Sequence, residues 1–391
     1  MRYNFDEIIE RKNTDSLKYD FHVQRGKPDG LLPLWVADMD FRTPPPIIAA
    51  LAAKSQHGIF GYSESRQDYF QVLQNWFYSH FNWETEEDWL IKTPGVVYAL
   101  YALVRALTNK GDAILIQQPV YPPFSQVVFN NERSLIVNRL IYSNSKYSID
   151  FADFEAKIVQ NKVKLFILCS PHNPVGRVWT KEELVDLGNI CLKHGVTVIS
   201  DEIHADFVYP GYRHTIFANI NPEFAEIAVT CTAPTKTFNL AGLQISNIFV
   251  KNKAMRDKLK QELVKNGYNQ LNIMGLTACK AAYENGREWL MELNAYLAGN
   301  LDFARSFLRQ KIPQVQLVEP EGTYLLWLDF KELGLSNDKL EDLIVDKARL
   351  WLNSGLTFGE GGAGFQRVNI ACPRSVLKEA FVRLEQAVSK L

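Results

Sequence analysis

Four side chains of different chemistry follow short apolar runs in the middle of the chain. Asn173 stands in PHNPVG, just after LFILCS (165–170). Asp201 and His204 stand in DEIHAD, just after VTVIS (196–200). Lys236 stands in APTK, just after AVTCT (228–232), among small and uncharged residues. Taken singly, each has an ordinary role. Asn173 between two prolines suits a turn, Asp201 a helix N-cap, His204 a satisfied polar core position and Lys236 a surface charge. Together they place an amide, a carboxylate, an imidazole and an amine at successive strand ends, where parallel sheets bind their ligands. A lysine at one strand end and a carboxylate at the one before suit a pyridoxal phosphate site. There the amine forms a Schiff base and the carboxylate pairs with the pyridinium nitrogen.

The elements that must hold these groups are legible around them. AILIQ (113–117), LFILCS, VTVIS, AVTCT and NIFV (247–250) are apolar without alternation, as strands covered on both faces are. Helical patterns lie between them. The clearest is TKEELVDLGNICLKHG (180–195), in which Thr180 and Glu183 form a capping box and Gly195 closes the helix. This order predicts an α/β fold with a mostly parallel sheet flanked by helices. The last third reads as a smaller α+β domain. It has a long helix over 283–310, strands at VQLVEP, TYLLWLDF and FQRVNIAC, a helix at KLEDLIVDKARL and a terminal helix. The expected division is an N-terminal segment, 1–45, wrapped onto the small domain, a large domain, 46–282, and the small domain, 283–391.

Composition removes several classes of function. The 391 residues carry 43 basic and 44 acidic side chains, with no basic block, so neither nucleic acid nor a membrane surface is an expected partner. No apolar run approaches the roughly 20 residues that span a bilayer, and the first residues lack a signal-peptide core. The five cysteines are scattered without a C-x-x-C pair, which suits reduced thiols in the cytoplasm. The seven histidines form no ligand cluster, so no metal is expected.

The ordered set NPVG, SDEIHAD, TKTFNLAG and FQRVNIACPR resembles fold-type I pyridoxal-phosphate enzymes of the class I/II aminotransferase superfamily. LPLWVADMDF (32–41), TPGVV (93–97), PVYPPF (119–124) and PHNPVG narrow the resemblance to the cystathionine β-lyase, or C–S lyase, branch. It spans about residues 19–374 and implies a seven-stranded sheet in the large domain. It further implies that Lys236 holds the coenzyme, Asp201 keeps the ring nitrogen protonated, Asn173 bonds the phenolic oxygen and Tyr121 stacks on the ring. Gly95, Val96 and Val97 would cradle the phosphate at a helix N-terminus, with Thr235 adding a hydroxyl; their plain alternative is ordinary helix initiation. Tyr62 in FGYSE would reach the phosphate of a neighbouring subunit, so the resemblance implies a homodimer with shared sites. Arg367 in FQRVN would bind the substrate α-carboxylate.

Three positions depart from the family pattern. Gln244 stands where many aminotransferases carry an arginine, His204 where many carry a tyrosine, and Tyr98 where the lyase branch carries proline. His204 is kept with the coenzyme-binding set. The implied reaction is α,β-elimination of cystathionine or a related cysteine S-conjugate, with Lys236 as the base. Trp35, Tyr121 and Tyr324 would form an apolar pocket for the thioether. Two other functions use the same residues: an aminotransferase, or a non-catalytic coenzyme-binding regulator.

Overall fold

The computed structural model describes residues 2–268 and 270–391. In chain order, the elements that concern the site begin with β1 (Leu32–Pro33), α1 (Pro45–His57), α2 (Gln67–Phe81), β2 (Leu90–Thr93) and α3 (Val96–Leu107). Then come β3 (Ala113–Gln118), α4 (Pro123–Asn130), β4 (Ser134–Arg139), the hairpin β5 (Ile141–Ser143) and β6 (Lys146–Ser148), and α5 (Phe151–Asn161). The middle holds β7 (Leu165–Cys169), α6 (Lys181–His194), β8 (Thr197–Asp201), α7 (Pro222–Ile227), β9 (Ala228–Thr232), the short α8 (Pro234–Thr237) and β10 (Ser246–Phe249). After α9 (Lys253–Lys265), α10 (Ile273–Asn285) and α11 (Arg287–Lys311) come β11 (Gln316–Val318), β12 (Leu325–Asp329) and α12 (Asn337–Asp342). The chain finishes with β13 (Leu350–Trp351), β14 (Asn353–Ser354), β15 (Phe365–Asn369) and α13 (Arg374–Val388).

The principal sheet has seven strands in the order β2-β10-β9-β8-β7-β3-β4. All its pairings are parallel except the two made by β10. Alternate residues of the central strands enter opposite cores. Leu165 and Ile167 join one apolar cluster, and Phe166 and Leu168 join the other. Both faces are therefore buried, which is why these strands read as unbroken apolar runs. The capping box forms as expected: Thr180 Oγ1 accepts from the Glu183 amide at 3.2 Å, and Glu183 Oε2 accepts from the Thr180 amide at 2.8 Å. Gly195 closes α6 with φ 64°.

A second sheet has four strands, ordered β11-β12-β15-β14. The N-terminal segment runs along it. β1 pairs in parallel with β13, the Asn369 amide donates to Leu34 O at 2.9 Å, and the Asp40 amide donates to Ala371 O at 2.9 Å.

Four parts of the fold differ from the sequence expectation. β2 and β4 are additional strands; one is short with alternating burial, and the other is an edge strand with polar ends. Neither shows an unbroken apolar run. The helical stretch expected over 283–310 belongs to two helices, α10 and α11, separated by Gly286. A Cβ on Gly286 would sit 2.2 Å from the Phe238 ring, so the break is also a close packing point. KLEDLIVDKARL is helical only to Lys347, because Leu350 and Trp351 leave it to pair with β1.

Gly188 lies buried within α6, and a Cβ there would meet the Phe224 ring at 2.2 Å. Alanine in place of glycine would favour the helix by about 1 kcal/mol, but overpacking costs about 1–3 kcal/mol. Phe224 is fully buried and stacked on Phe217, so it has little room to yield. Gly188→Ala should therefore lower stability by about 1–2 kcal/mol in urea unfolding, instead of raising it.

Candidate active site

The central strands end in register. Cys169 pairs with Asp201, and Asp201 with Cys231, so β7, β8 and β9 finish in one row. Three loops leave that row carrying Asn173, Ile203 with His204, and Thr235 with Lys236. They form one wall of a cavity of about 370 Å³. The α3 N-terminus closes a second side with Gly95, Val96 and Val97, and Tyr121 stands beside it. The N-terminal segment supplies Trp35, Val36 and Ala37, and the four-stranded sheet supplies Asn353 and Arg367. Eleven of the thirteen residues expected from the sequence therefore meet in one place: Trp35, Gly95, Val96, Val97, Tyr121, Asn173, Asp201, His204, Thr235, Lys236 and Arg367. Of the other two, Tyr324 is taken up below, and Tyr62 is 90% exposed and does not reach its own chain's cavity.

Each charged group has a defined setting. Burial raises the Asp201 carboxyl to about 7, against one backbone donor, the Ile203 amide at 3.2 Å. Burial, and then the positive charge of Arg367, lower the Lys236 amine to about 8, while Asp38 and Asp201 pull the other way. The amine donates to Ala37 O at 2.7 Å. Burial lowers His204 to about 3, so its imidazole is neutral.

Arg367 is buried in the middle of its sheet and fixed on three sides. Nη1 donates to Asn173 Oδ1 at 3.0 Å, Nη2 donates to Trp35 O at 2.7 Å, and the guanidinium lies 5.0 Å from the Phe358 ring centroid. Among the described residues its Nε has no protein partner, and neither has His204 Nδ1. Among the described residues no side chain caps α3, so the first N–H groups of that helix stand open beside Gly95. A Cβ added to Gly95 would meet nothing within 4 Å. An uncapped helix N-terminus, a buried carboxylate, a weakly basic amine and a fixed guanidinium together fit a phosphate-bearing cationic ring and a substrate carboxylate.

Some expected participants stand elsewhere. Tyr324 is fully buried and lies outside the cavity wall; its hydroxyl donates to Ala37 O at 3.0 Å. The apolar pocket expected from Trp35, Tyr121 and Tyr324 therefore keeps only the first two. Gln244 is exposed and off the wall. Tyr98 packs against Tyr268, with ring centroids 5.3 Å apart. The sequence reading missed Ala37, Asn353 and Leu17. Ala37 acts through its backbone carbonyl, which no side chain signals. Asn353 pairs with Arg367 across β14 and β15 and donates to Trp35 O at 2.9 Å, a relation only strand register shows.

Residues 30–384 match the family described as aminotransferase class I and II. The chain belongs to that family. Among its relatives, the cystathionine β-lyase PatB of Bacillus subtilis (strain 168) is 42% identical over 99% of this chain and all of its own length. A PLP-bound protein of Clostridium difficile 630, provisionally assigned as an aminotransferase, superposes with a TM-score of 0.97. It is 45% identical over 99% of this chain and 100% of its own. Cystalysin of Treponema denticola, whose structure contains pyridoxal 5'-phosphate, gives a TM-score of 0.96 at 36% identity, covering 100% of both chains.

Asp201 couples the site to stability. Folded, and free of ligand, it keeps its proton to about pH 7; unfolded, it releases it near its ordinary value of 3.8. Between these values the folded chain binds more protons, so this group's contribution to stability falls as pH rises and is level above about 7. Ligand-free Asp201→Asn should exceed the ligand-free parent by roughly 4 kcal/mol at pH 8. The gap should close toward pH 4, as read by urea unfolding across pH.

Proposed function

We propose that the chain is a pyridoxal-phosphate-dependent carbon–sulfur β-lyase. It cleaves cystathionine or a related cysteine S-conjugate to a thiol, homocysteine in the case of cystathionine, with pyruvate and ammonia. The observation that carries this reading is the convergence of Lys236, Asp201 and Arg367 on one cavity. The lyase names of similar proteins support it.

Pyridoxal phosphate, when bound, supplies a covalent handle for the amino group and an electron sink for charge developing at Cα. The chain's residues do the rest. The Val96 and Val97 N–H groups at the α3 N-terminus, with the Thr235 hydroxyl, would hold the phosphate. Asp201 would serve the ring nitrogen as its counter-ion, a role that a carboxyl made more basic by burial suits. Asn173 gives Oδ1 to Arg367, which leaves Nδ2 to donate to the phenolic oxygen. Tyr121 and neutral His204, both on the cavity wall, would border the coenzyme without adding charge. Arg367 takes the substrate α-carboxylate and so sets which bonds at Cα stand toward Lys236.

Lys236 removes the Cα proton. With its basicity lowered to about 8, a useful fraction of the amine is neutral near pH 7.5. The C–S bond at Cβ then breaks, and the thiolate leaves with the electron pair and takes up a proton. The remaining three-carbon enamine consumes one water and gives pyruvate and ammonia. Arg367 is the sole arginine on the cavity wall among the described residues. A substrate whose side chain ends in carboxylate alone finds no second guanidinium, which favours a thioether over an acidic amino acid. Five buried, unpaired cysteines suit a reducing cytoplasm, and exposed Tyr62 suits a dimer in which a second copy completes each site.

Lys236→Ala should lose the visible absorption of the lysine-bound coenzyme and lower pyruvate release from cystathionine by about a thousandfold or more. Pyruvate at the parent rate from that variant would refute the mechanism. Assaying the parent protein with cystathionine for pyruvate, and separately for amino exchange that requires a keto acid, distinguishes the lyase from an aminotransferase. Exchange without pyruvate would establish the latter.

A further inference from the structure

Trp35–Asp40 forms a strap along one side of the cavity, and two of its backbone carbonyls bind the amine and the guanidinium. Ala37 O accepts from Lys236 Nζ and from the Tyr324 hydroxyl. Trp35 O accepts from Arg367 and from Asn353. Behind the strap lies a compact group of four charges. Arg11 reaches Asp38 at 2.7 Å and Asp40 at 2.6 Å. Lys18 is fully buried and reaches Asp40 at 2.7 Å and Asp38 at 3.7 Å. Leu17, the neighbour of Lys18, lies on the cavity wall, and Lys18 O accepts from the Trp35 indole at 3.4 Å.

Stability alone is a poor reason for this arrangement. Desolvating a lysine completely costs several kcal/mol, and apolar residues of the same shape often do as well. What two pairs of opposite charges provide is a fixed spacing. Here that spacing sets the strap against Lys236 and Arg367. We propose that Lys18 and Arg11 are positioning residues: clamping Asp38 and Asp40, they hold the Ala37 carbonyl against the Lys236 amine and the Trp35 carbonyl against Arg367. The proposal rests on the pyridoxal phosphate reading of Lys236 and extends it to side chains that touch neither coenzyme nor substrate.

The clamp also balances charge at the site. The charged and titratable groups around Lys236 are Asp38 from the strap, Asp201 from β8, His204 from the loop after it, Arg367 from β15, Tyr121 on the cavity wall and Tyr324, whose hydroxyl shares the Ala37 carbonyl with the amine. Lys18 and Arg11 offset Asp38. Without one of them, the Asp38 charge acts more strongly on Lys236 and favours its protonated form.

The test uses the holoenzyme of Lys18→Met, with Lys18→Arg as the conservative variant. In Lys18→Met, the visible absorption of the lysine-bound coenzyme should titrate at higher pH than in the parent. Its kcat/KM for cystathionine should fall about tenfold or more, mainly through KM, because Arg367 loses its fixed orientation. Lys18→Arg should return both toward the parent. Arg11→Gln, at a side chain one-fifth exposed, should shift both in the same sense and serves if Lys18→Met does not fold. Parent-like titration and kcat/KM in the folded variants, whatever their melting temperatures, would overturn the proposal. The titration needs no substrate. A parent protein that binds coenzyme but makes no pyruvate would therefore sink the lyase reading and leave this one standing.

Discussion

Desolvation at the ends of β8 and β9 governs the chemistry of this chain. One carboxylate and one amine are carried out of water together, onto the rim of a sheet whose two faces are already buried. Each loses much of its preference for the charged form. Asp201 becomes a group in need of a cation, and Lys236 an amine that gives up its proton near neutral pH. Neither property belongs to the residues themselves. Both follow from the register that aligns Cys169, Asp201 and Cys231.

The seven-stranded sheet fixes only half of the site. The other half comes from Arg367 at the centre of a separate four-stranded sheet, and from a strap tied to that sheet by backbone and side-chain bonds. Asn369 Nδ2 donates to both Val36 O and Asp38 O at 2.6 Å, and Asn239 Nδ2 binds Met39 O and Phe41 O from the other side. The strap is thus pinned to the four-stranded sheet and to the turn that follows Lys236. Its carbonyls behave as part of a rigid frame more than as a loop, which is the condition for holding reacting groups to within a fraction of an ångström.

The sequence displayed the strands that carry chemistry more clearly than those that do not. β3, β7, β8, β9 and β10 are buried on both faces, and they announce themselves by composition. β4 is an edge strand, and β2 alternates, so their apolar content is diluted by solvent contact or helix packing. The site was legible for the same reason: Asn173, Asp201 and Lys236 are polar residues interrupting apolar text. Arg367 emerged through its family motif and Tyr121 likewise. Ala37 left no trace, because a carbonyl is present at every position. Tyr324 was assigned to the pocket wall, but it stands behind it, bonded to that carbonyl and packed edge-on against the His204 ring. The break at Gly286 was hidden because glycine inside a helical pattern does not show the ring that packs against it.

The pairing of β1 with β13 joins segments far apart in the chain, and the cavity gathers residues from Leu17 to Arg367. All seven strands of the central sheet precede β13 and β15, so that sheet can assemble while the ribosome is still adding them. The strap cannot find its companion strand until β13 has emerged. A nascent chain can therefore present its amine and carboxylate early, yet it acquires stereochemical control over an amino acid only once Arg367 has been made.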